Sequence, residues 1–573
     1  MTFRKKSCCF IFLITVHILR ANAKQYSIAT WKPISGIQEH QIEAKNVSEA
    51  IRKIPHKYAV GGILENAINE TGWAFQEIHT FDPYEDVVQA YGAGFVEGYT
   101  ARHLIYAHFN NMIRAFCDGR IKLCNKIQEY LDTNERWVKE MIANYSSTEP
   151  YWHQVKLFYK QLEGVVDGYN YGWKNTSMML TANNFLWLNV QGDLEDLTTA
   201  MNRTDNSTCE LSHILESGPV LGSGSCSALI KLLPNNSDLY VGHDTWSSYQ
   251  SMLRVQKKYV FRYHVLANSS ERIPGFAMTF SSYPGIITSG DDFYLISSGI
   301  ATLETTIGNA NDSLWTHVQP KGQVMETVRS MVANRLGRSG RSWTKLFTLY
   351  NSGTYNNQWM VVDYKCFKKG NSTIQNNLLW VLEQIPGMVQ ARDMTHVLRE
   401  QSYWPSYNVP AFPQIFNMSG NVPLVKRYGD WFTYERNPRA LIFKRDHDKV
   451  RDTTSMLALM EYNDYKNDPF SRCNCTPPYS AENAIAARCD LNPANGTYPF
   501  KALGHRSHGS IDTKITTADL FMKLKFISRS GPVYNENLPP FVWSEADFGS
   551  TTPHMGHPNV WQFEPVTHQW QWR

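Results

Sequence analysis

Residues 222–232, with the sequence GSGSCSALIKL, join a Gly/Ser-rich stretch to an apolar run and place a single cysteine, Cys226, at the junction. Clusters of Gly and Ser are typical of exposed loops, which we predict over about 199–225, whereas the run after Cys226 is typical of a buried strand. The backbone of a loop can adopt the distorted conformation that attack on a carbonyl requires, while the strand fixes the position of Cys226. The sequence therefore predicts that the Cys226 thiol attacks the carbonyl of Ser225 and that the chain cuts itself between these residues.

Such a cut makes Cys226 the first residue of a new chain and gives it a free α-amine. The reference pKa of an α-amine is about 8 and that of a thiol about 8.5, so the amine can accept the thiol proton. Nucleophile and base then belong to one residue. The alternative is a cysteine that is buried in the core or held in a disulfide.

The remaining pattern predicts helices packed on antiparallel sheet, an α+β fold. Short runs of β-branched and aromatic residues predict strands over 227–233, 239–243, 259–266, 276–281, 293–297 and 359–363, with helices near 322–336 and 386–399. Between 86 and 168, apolar residues recur every three or four positions, which indicates long helices. Gly92, Gly94 and Gly98 in the first of these helices indicate close contact with a neighbouring helix.

Eight cysteines remain after residue 23, at positions 117, 124, 209, 226, 366, 473, 475 and 489. They are too few to hold together a fold of this length, so the fold depends on its core. We predict local bridges between Cys117 and Cys124 and within the group Cys473, Cys475 and Cys489. The sequence does not give the connectivity within that group.

The N-terminus has the pattern of a secretory signal peptide over residues 1–23. Three basic residues at 4–6 precede an apolar stretch over 8–19, and an A-x-A cleavage site ends at Ala23. No later stretch is long and apolar enough to span a bilayer. Asn-x-Ser/Thr acceptors along the chain fit a glycoprotein, so we expect a lysosomal or secreted protein. The acceptors are Asn46, Asn69, Asn144, Asn175, Asn202, Asn206, Asn235, Asn268, Asn311, Asn371, Asn417, Asn474 and Asn495.

Composition and missing motifs exclude several classes of function. The 573 residues are 42% hydrophobic and 13% aromatic, enough for a large core. Removal of the four basic signal-peptide residues leaves 52 basic against 52 acidic side chains, so a nucleic-acid partner has no electrostatic support. Phosphate-loop, dinucleotide and zinc-protease motifs are missing. The pairs His505/His508 and His554/His557 lack the further ligands that zinc needs, and we expect no metal or other cofactor.

Longer strings of sequence resemble the phospholipase B-like family of lysosomal proteins. The resemblance lies in residues 224–231 (GSCSALIK) and 241–246 (VGHDTW), and it continues in the same order at 303–309, 355–359, 403–408 and 437–440. It covers nearly the whole mature chain. It implies an N-terminal-nucleophile hydrolase fold, an αββα sandwich of antiparallel sheets covered by helices.

Transferred residue by residue, the resemblance implies that Cys226 is the nucleophile and that its site is lined by His243, Trp246, Thr306, Asn408 and Arg439. The Asn408 amide suits an oxyanion donor, and His243 suits a group that orients the amine or the thiolate. Arg439 would steady the thiolate or bind an anionic substrate group. Trp246 would wall an acyl pocket and Thr306 would donate a hydrogen bond near the nucleophile. A structural role in the core or in an ion pair is the alternative for each.

We therefore expect two chains, 24–225 and 226–573, that together form one fold. The expected activity is removal of fatty acyl groups from phospholipids through a Cys226 thioester. One alternative keeps the site and changes the substrate to an N-acyl lipid or another small amide. A third possibility is a processed lysosomal glycoprotein that binds lipid or a partner with little turnover.

Overall fold

The computed structural model describes residues 24–32, 36–41, 59–202 and 226–571. The predicted signal peptide, Ser225 and the predicted linker from residue 203 onward lie outside these residues. The described helices are Ile68–Thr71, Asp86–Met112, Ile121–Tyr145, Pro150–Tyr171, Ala182–Asn189, Gln191–Met201, Glu326–Leu336, Gly340–Thr348, Thr395–Gln401, Pro413–Met418, Asn421–Tyr428, Pro438–Asp446, Thr453–Met460 and Ala518–Phe521. Residues 199–201, which were predicted to begin the linker, are the last residues of the helix Gln191–Met201.

The larger sheet has eleven described strands and is antiparallel except at one pair. At that pair Trp73–Thr80 runs parallel to Arg254–Val260. The two strands lie on opposite sides of the predicted cut, so both predicted chains contribute to this sheet. Its strands, in spatial order, are Met388–Asp393, Leu379–Ile385, Asn357–Asp363, Ile300–Thr306, Phe293–Ile296, Ala277–Ser282, Arg254–Val260, Trp73–Thr80, Val60–Ala67, Gln25–Lys32 and Gly36–Gln41.

The smaller sheet is antiparallel and contains the strand that begins at Cys226. Its order is Tyr403–Ser406, Cys226–Leu232, Leu239–Ser248, His508–Thr516 and Ile527–Ser530. The strand Cys226–Leu232 is therefore internal, with a paired strand on each side, and Cys226 is its first residue. Phe541–Val542 and Val560–Trp561 form a separate pair.

The two sheets pack face to face, and helices cover their outer faces. In the strand Cys226–Leu232, Ala228 and Ile230 pack between the sheets with Leu303 of the larger sheet. Leu229, on the opposite face, packs in a separate cluster with Phe443 of the helix layer. This alternation follows the two-residue repeat of a strand. The predicted combination of antiparallel sheets and helices is thus confirmed.

The helices Asp86–Met112 and Pro150–Tyr171 lie on the outer face of the larger sheet and touch through their backbones. A Cβ on Gly94 would lie 1.8 Å from the main-chain oxygen of Gln161, and a Cβ on Gly164 would lie 2.0 Å from a main-chain oxygen of the first helix. Only glycine allows so close an approach. The close helix contact predicted from the glycines of the first helix is confirmed.

Two predicted elements differ from the structure. The strand predicted over 259–266 is observed at Arg254–Val260, because Lys257 is buried in the sheet through an ion pair with Glu97 at 2.6 Å. Because the strand was predicted from apolar and aromatic residues, the prediction left this lysine outside it. The helix predicted over 386–399 is a strand, Met388–Asp393, followed by the helix Thr395–Gln401. Gly387, with φ of 76°, turns the chain there into a hairpin.

The cysteines confirm both predicted local bridges and correct the inclusion of Cys489 among the bridged cysteines. Cys117 and Cys124 form a disulfide, as predicted, and Cys473 pairs with Cys475. Cys489 is free, so its predicted part in a bridge is wrong. Its thiol is buried and donates a hydrogen bond to Glu482 Oε2 at 2.7 Å, so the thiol is satisfied by a carboxylate and not by a second sulfur.

Ten of the predicted glycosylation acceptors are exposed in the structure. Asn311 is half-buried and donates a hydrogen bond from Nδ2 to the carbonyl of Met418 at 2.8 Å, which makes it the least accessible of the described acceptors. Asn46 and Asn206 lie outside the described residues. Across the described part of the chain, none of the helices has the length and apolar character needed to cross a bilayer.

Candidate active site

The main chain of Cys226 is held by two side chains from distant parts of the sequence. Cys226 is 1% exposed. Its backbone N–H donates to Asn408 Oδ1 at 3.1 Å, and its carbonyl accepts from Arg439 Nη1 at 2.7 Å. The nitrogen at which the predicted cut occurs therefore has a fixed acceptor.

Asn408 and Arg439 are also bonded to each other and form a clamp around this nitrogen. Arg439 Nη1 donates to Asn408 Oδ1 at 2.8 Å, and Asn408 Nδ2 donates to the carbonyl of Thr306 at 2.7 Å. The second bond fixes which end of the amide faces Cys226. We expected Asn408 to serve as an N–H donor, but the structure instead directs its oxygen at the Cys226 nitrogen. One Nδ2 hydrogen remains beyond the bond to Thr306.

Arg439 is positioned by a helix start and by an aromatic ring. The Asn437 side chain caps the helix Pro438–Asp446 by accepting from the Arg439 N–H at 3.0 Å. The guanidinium carbon lies 4.4 Å from the ring centre of Trp246, whose indole N–H donates to the carbonyl of Ile485 at 3.1 Å. Burial lowers the pKa of Arg439 to about 10, so the side chain stays cationic at neutral and acidic pH.

The Cys226 side chain shares the inner face of its sheet with Thr245, its antiparallel neighbour. Thr245 Oγ1 donates to Asp291 Oδ2 at 2.7 Å and accepts from Lys514 Nζ at 2.6 Å. Burial raises the pKa of the Cys226 thiol, and the negative charge of Glu304 raises it further. The thiol is therefore protonated at rest and needs a base before it can attack a carbonyl.

His243 lies beside this network and has no described hydrogen bond to Cys226. Its Nε2 is 2.9 Å from the carbonyl of Glu304, and its Nδ1 is 3.3 Å from Thr245 Oγ1. Burial, helped by the positive charge of Lys514, lowers the pKa of His243 to about 3. The imidazole is therefore neutral, and both ring nitrogens already have neighbours.

Thr306 offers a hydroxyl that nothing in the described protein uses. Its Oγ1 is buried without a hydrogen-bond partner among the described residues, while its carbonyl accepts from Asn408. A buried hydroxyl without a partner costs free energy, so a hydrogen bond with a bound molecule would be favourable. The structure thus brings Cys226, Asn408, Arg439 and Thr306 into one hydrogen-bonded group. Trp246 joins this group through Arg439, and His243 approaches it through Thr245.

A buried ionic network behind the thiol was not predicted. Asp291 Oδ2 accepts from Arg254 Nη2 at 2.5 Å and lies 3.1 Å from Lys514 Nζ, while Arg254 Nε lies 2.6 Å from Asp512 Oδ2. Burial alone would raise the pKa of Asp291, but Arg254 and Lys514 hold it below its usual range. The sequence gives one indication of this network. Lys514 lies in the strand-like stretch TKIT at 513–516, but a lysine in such a stretch is typical of a position that faces solvent.

A cavity of about 160 Å³ opens beside the clamp. Asn408 and Arg439 line it, so it begins at the two side chains that contact the Cys226 main chain. The remaining lining residues, mainly apolar, are Gly308, Asn309, Ala310, Tyr407, Val409, Asn421, Leu424, Trp431, Phe432 and Asn437.

A second cluster, outside the clamp, has residue types that bind metals. Within the described chain, Glu482, Cys489 and His508 are grouped with ligand atoms within 4.8 Å of one another. Glu482 Oε2 already accepts from the Cys489 thiol at 2.7 Å and from Arg506 Nη2 at 3.0 Å. Because Arg506 supplies the positive charge that this carboxylate needs, the arrangement is that of a buried hydrogen-bonded ion pair.

Comparison with known proteins finds a family model and relatives that match most of the chain. The family model described as phospholipase B matches residues 60–568, a range that contains the whole clamp and cavity. The phospholipase B-like 2 protein of Bos taurus is 48% identical over 515 residues, which cover 88% of this chain and 85% of that protein. The Homo sapiens protein of the same name is 47% identical over 514 residues, with the same coverage. Phospholipase B-like protein B of Dictyostelium discoideum is 37% identical over 502 residues, 87% of this chain and 84% of that one.

Proposed function

Because the chain belongs to the phospholipase B family, we propose that it is an acyl hydrolase whose nucleophile is the thiol of Cys226, released as a new N-terminal residue by self-cleavage. The observation that carries the proposal is the clamp. Asn408 and Arg439 hold the nitrogen and the carbonyl of a buried cysteine at the first position of an internal strand. The packing of two sheets between helices supports an αββα fold of the N-terminal-nucleophile hydrolase type.

Self-cleavage proceeds through an acyl shift. The Cys226 sulfur attacks the carbonyl carbon of Ser225, and the C–N bond to Cys226 breaks as the C–S bond of a thioester forms. The nitrogen takes up the proton that the thiol gives up. Water then breaks the C–S bond, which releases Ser225 as a carboxylate and restores the thiol.

The free α-amine acts as the base in turnover. Asn408 Oδ1, 3.1 Å from this nitrogen, orients one N–H so that the lone pair is left for the thiol proton. The Arg439 cation lies 2.8 Å from the same oxygen and disfavours a second positive charge there, which keeps the amine neutral. The sulfur forms a C–S bond to the substrate carbonyl carbon, and the leaving alcohol or amine takes the proton from the amine.

The oxyanion of the tetrahedral intermediate needs donors beside Cys226. The remaining Nδ2 hydrogen of Asn408 and the unpartnered hydroxyl of Thr306 are the candidate donors. A single oxyanion donor is worth about 100- to 1,000-fold in rate. Water then breaks the C–S bond of the thioester and releases the acid.

The ester of a phospholipid is the first candidate substrate, because the family name refers to phospholipase B. An N-acyl amide is the second candidate. It is favoured by the maturation step, in which the same thiol attacks the carbonyl of an amide, the peptide bond between Ser225 and Cys226.

N-terminal sequencing of the purified protein tests the proposal. We expect one fragment to begin at Cys226 and the Cys226→Ala protein to remain a single chain. Incubation with phospholipid and with N-acyl amide, followed by mass spectrometry, should show an acyl group on the fragment that begins at Cys226. Cys366→Ala, which removes another free cysteine, is the matched control and should change neither result. Cleavage without any acyl-enzyme or hydrolysis would indicate a processed binding protein, and absence of the fragment would overturn the mechanism.

We also propose that the protein follows the secretory route to the lysosome or the outside of the cell. Ten exposed acceptors on the described surface support glycosylation. Treatment of the purified protein with an N-glycosidase should lower its apparent mass. A protein that begins at Met1 and does not change in mass would contradict this.

A further inference from the structure

The cavity beside the clamp is the strongest candidate for a substrate subsite. Asn408 and Arg439 line it, and both also contact the main chain of Cys226. Any group that enters it therefore lies beside the side chains that hold the main chain of the nucleophile. This inference rests on the function proposed above.

The polar side chains of the cavity wall are already bonded within the protein. Asn309 Nδ2 donates to the carbonyl of Asn311 at 3.1 Å, and Asn437 Nδ2 donates to the carbonyl of Trp431 at 2.6 Å. Asn421 Nδ2 donates to a serine hydroxyl at 2.8 Å. Each of these bonds fixes the orientation of its amide and uses one of the two hydrogens on the nitrogen. The rest of the wall is built from aromatic and aliphatic side chains, so the occupant is apolar.

The size of the cavity limits that occupant. An apolar cavity of about 150 Å³ holds a benzene molecule, so a volume of about 160 Å³ covers six to eight carbon atoms. A fatty acyl chain of about sixteen carbons would extend well beyond it. Each covered methylene improves binding about four-fold, and a methylene left in water adds little.

We propose that this cavity binds the acyl group of the substrate and covers about its first eight carbons, so that the protein selects medium-length or aromatic acyl groups by affinity. Leu424, on the helix Asn421–Tyr428, and Ala310 line the cavity, so their side chains limit its volume. Truncation of Leu424 enlarges the cavity, whereas a ring at position 310 fills it. Chains longer than about eight carbons bind without a further gain for each methylene.

The experiment measures the binding of straight-chain carboxylates, from butanoate to dodecanoate, to the processed protein by isothermal titration calorimetry. We expect the affinity to rise about four-fold per methylene up to about eight carbons and then to level off. Leu424→Ala should move this break to longer chains, and Ala310→Phe should move it to shorter ones. Leu162→Ala is the matched control, because Leu162 is also a helical leucine of similar burial, 7% against 8% exposed, and lies in a different core. It should leave the break in place.

Two results would overturn the subsite. One is an affinity that keeps rising through dodecanoate, and the other is a break that neither Leu424→Ala nor Ala310→Phe moves. Failure of the hydrolase proposal gives a different result, in which the break appears and moves as expected but no acyl group is ever found on Cys226. An acyl-enzyme that forms together with a steady rise through dodecanoate would uphold the hydrolase and reject the subsite.

Discussion

At the scale of single residues, the position of Arg439 in the clamp requires the shape of an arginine side chain and not only its positive charge. Its two terminal nitrogens reach four oxygens, those of Cys226, Ser227, Asn408 and Tyr407, and its face lies on Trp246. The planar fork of arginine satisfies this geometry, and the point charge of lysine does not.

We therefore expect Arg439→Lys to slow self-cleavage by about 100-fold, the cost of a small misplacement of reacting groups. Pulse-labelled protein followed over time on a denaturing gel measures the rate. Arg445→Lys is the control, because Arg445 lies on the same helix but pairs with Asp446 and Asp468 away from the clamp. Equal cleavage rates in the wild type and in Arg439→Lys would remove Arg439 from the mechanism.

The state of Cys489 is a second prediction at this scale. Peptide mapping without reduction should find the Cys473–Cys475 bridge inside one peptide and Cys489 as a free thiol. Cys489→Ser should leave that bridge intact, because the serine hydroxyl can still donate to Glu482. A peptide that links position 489 to position 473 or 475 would show that the pairing differs from the structure.

At the scale of elements, the helix pair Asp86–Met112 and Pro150–Tyr171 depends on glycine. A Cβ on Gly94 would meet backbone of the partner helix, which cannot move aside as a flexible side chain can. We expect Gly94→Ala to lower the free energy of unfolding by about 1–3 kcal/mol or more, the usual cost of overpacking. The control is Gly308→Ala, where a Cβ would meet nothing within 4 Å. Urea unfolding of the single-chain Cys226→Ala protein provides the measurement, and an unchanged midpoint in Gly94→Ala would contradict the close packing.

The elements also show what a sequence can and cannot predict. Apolar residues at every third or fourth position predicted the long helices, since an amphipathic helix face follows from spacing alone. Short β-branched and aromatic runs placed only five of the eighteen described strands at or near their observed bounds. The strand Arg254–Val260 was misplaced because its buried Lys257 is compensated by Glu97, which is 160 residues away and is not visible in a local pattern. The hairpin at Gly387 was missed for a related reason, since its partner strand decides its conformation.

The candidate site also has some features that the sequence predicts and others that it does not. Cys226 could be found from its position between a loop and a strand, and the resemblance supplied Asn408 and Arg439. The orientation of the Asn408 amide could not be predicted, because it depends on its bond to the Thr306 carbonyl. The network of Arg254, Asp291 and Lys514 was missed because Arg254 and Lys514 lie inside strands, where charged residues normally face water.

At the scale of the whole molecule, buried carboxyl groups make stability depend on pH. Burial raises the pKa of Glu383 to about 7, although Ala411, Phe412 and Gln358 donate hydrogen bonds to it, and burial raises that of Glu461 to about 7. Each group binds its proton more tightly in the folded state than in the unfolded one, where the pKa is about 4.3. Its contribution to stability is therefore complete below about pH 4 and is lost as the pH rises towards 7.

We expect each such carboxyl to contribute on the order of 2–3 kcal/mol more to the free energy of unfolding at pH 5 than at pH 7.5, whereas buried histidines with lowered pKa, such as His243, contribute in the opposite direction. Glu383→Gln, which mimics the protonated form, should reduce this difference. Glu435→Gln, at an exposed position, is the control and should not change it. Urea unfolding at the two pH values makes the comparison, and the same pH dependence in the wild type and in Glu383→Gln would show that the Glu383 carboxyl is solvated.

The parallel pairing of Trp73–Thr80 with Arg254–Val260 joins strands from before and after the proposed cut, so cleavage leaves two pieces that share one sheet. The folded protein keeps its shape, but the covalent link between the two pieces is gone. Refolding is therefore no longer an intramolecular event. Once such a cut protein opens, its pieces diffuse apart and must meet again, and each exposes unpaired strand edges in the meantime. The lifetime of the mature protein is then set by how slowly the sheet opens, and a single unfolding event ends it.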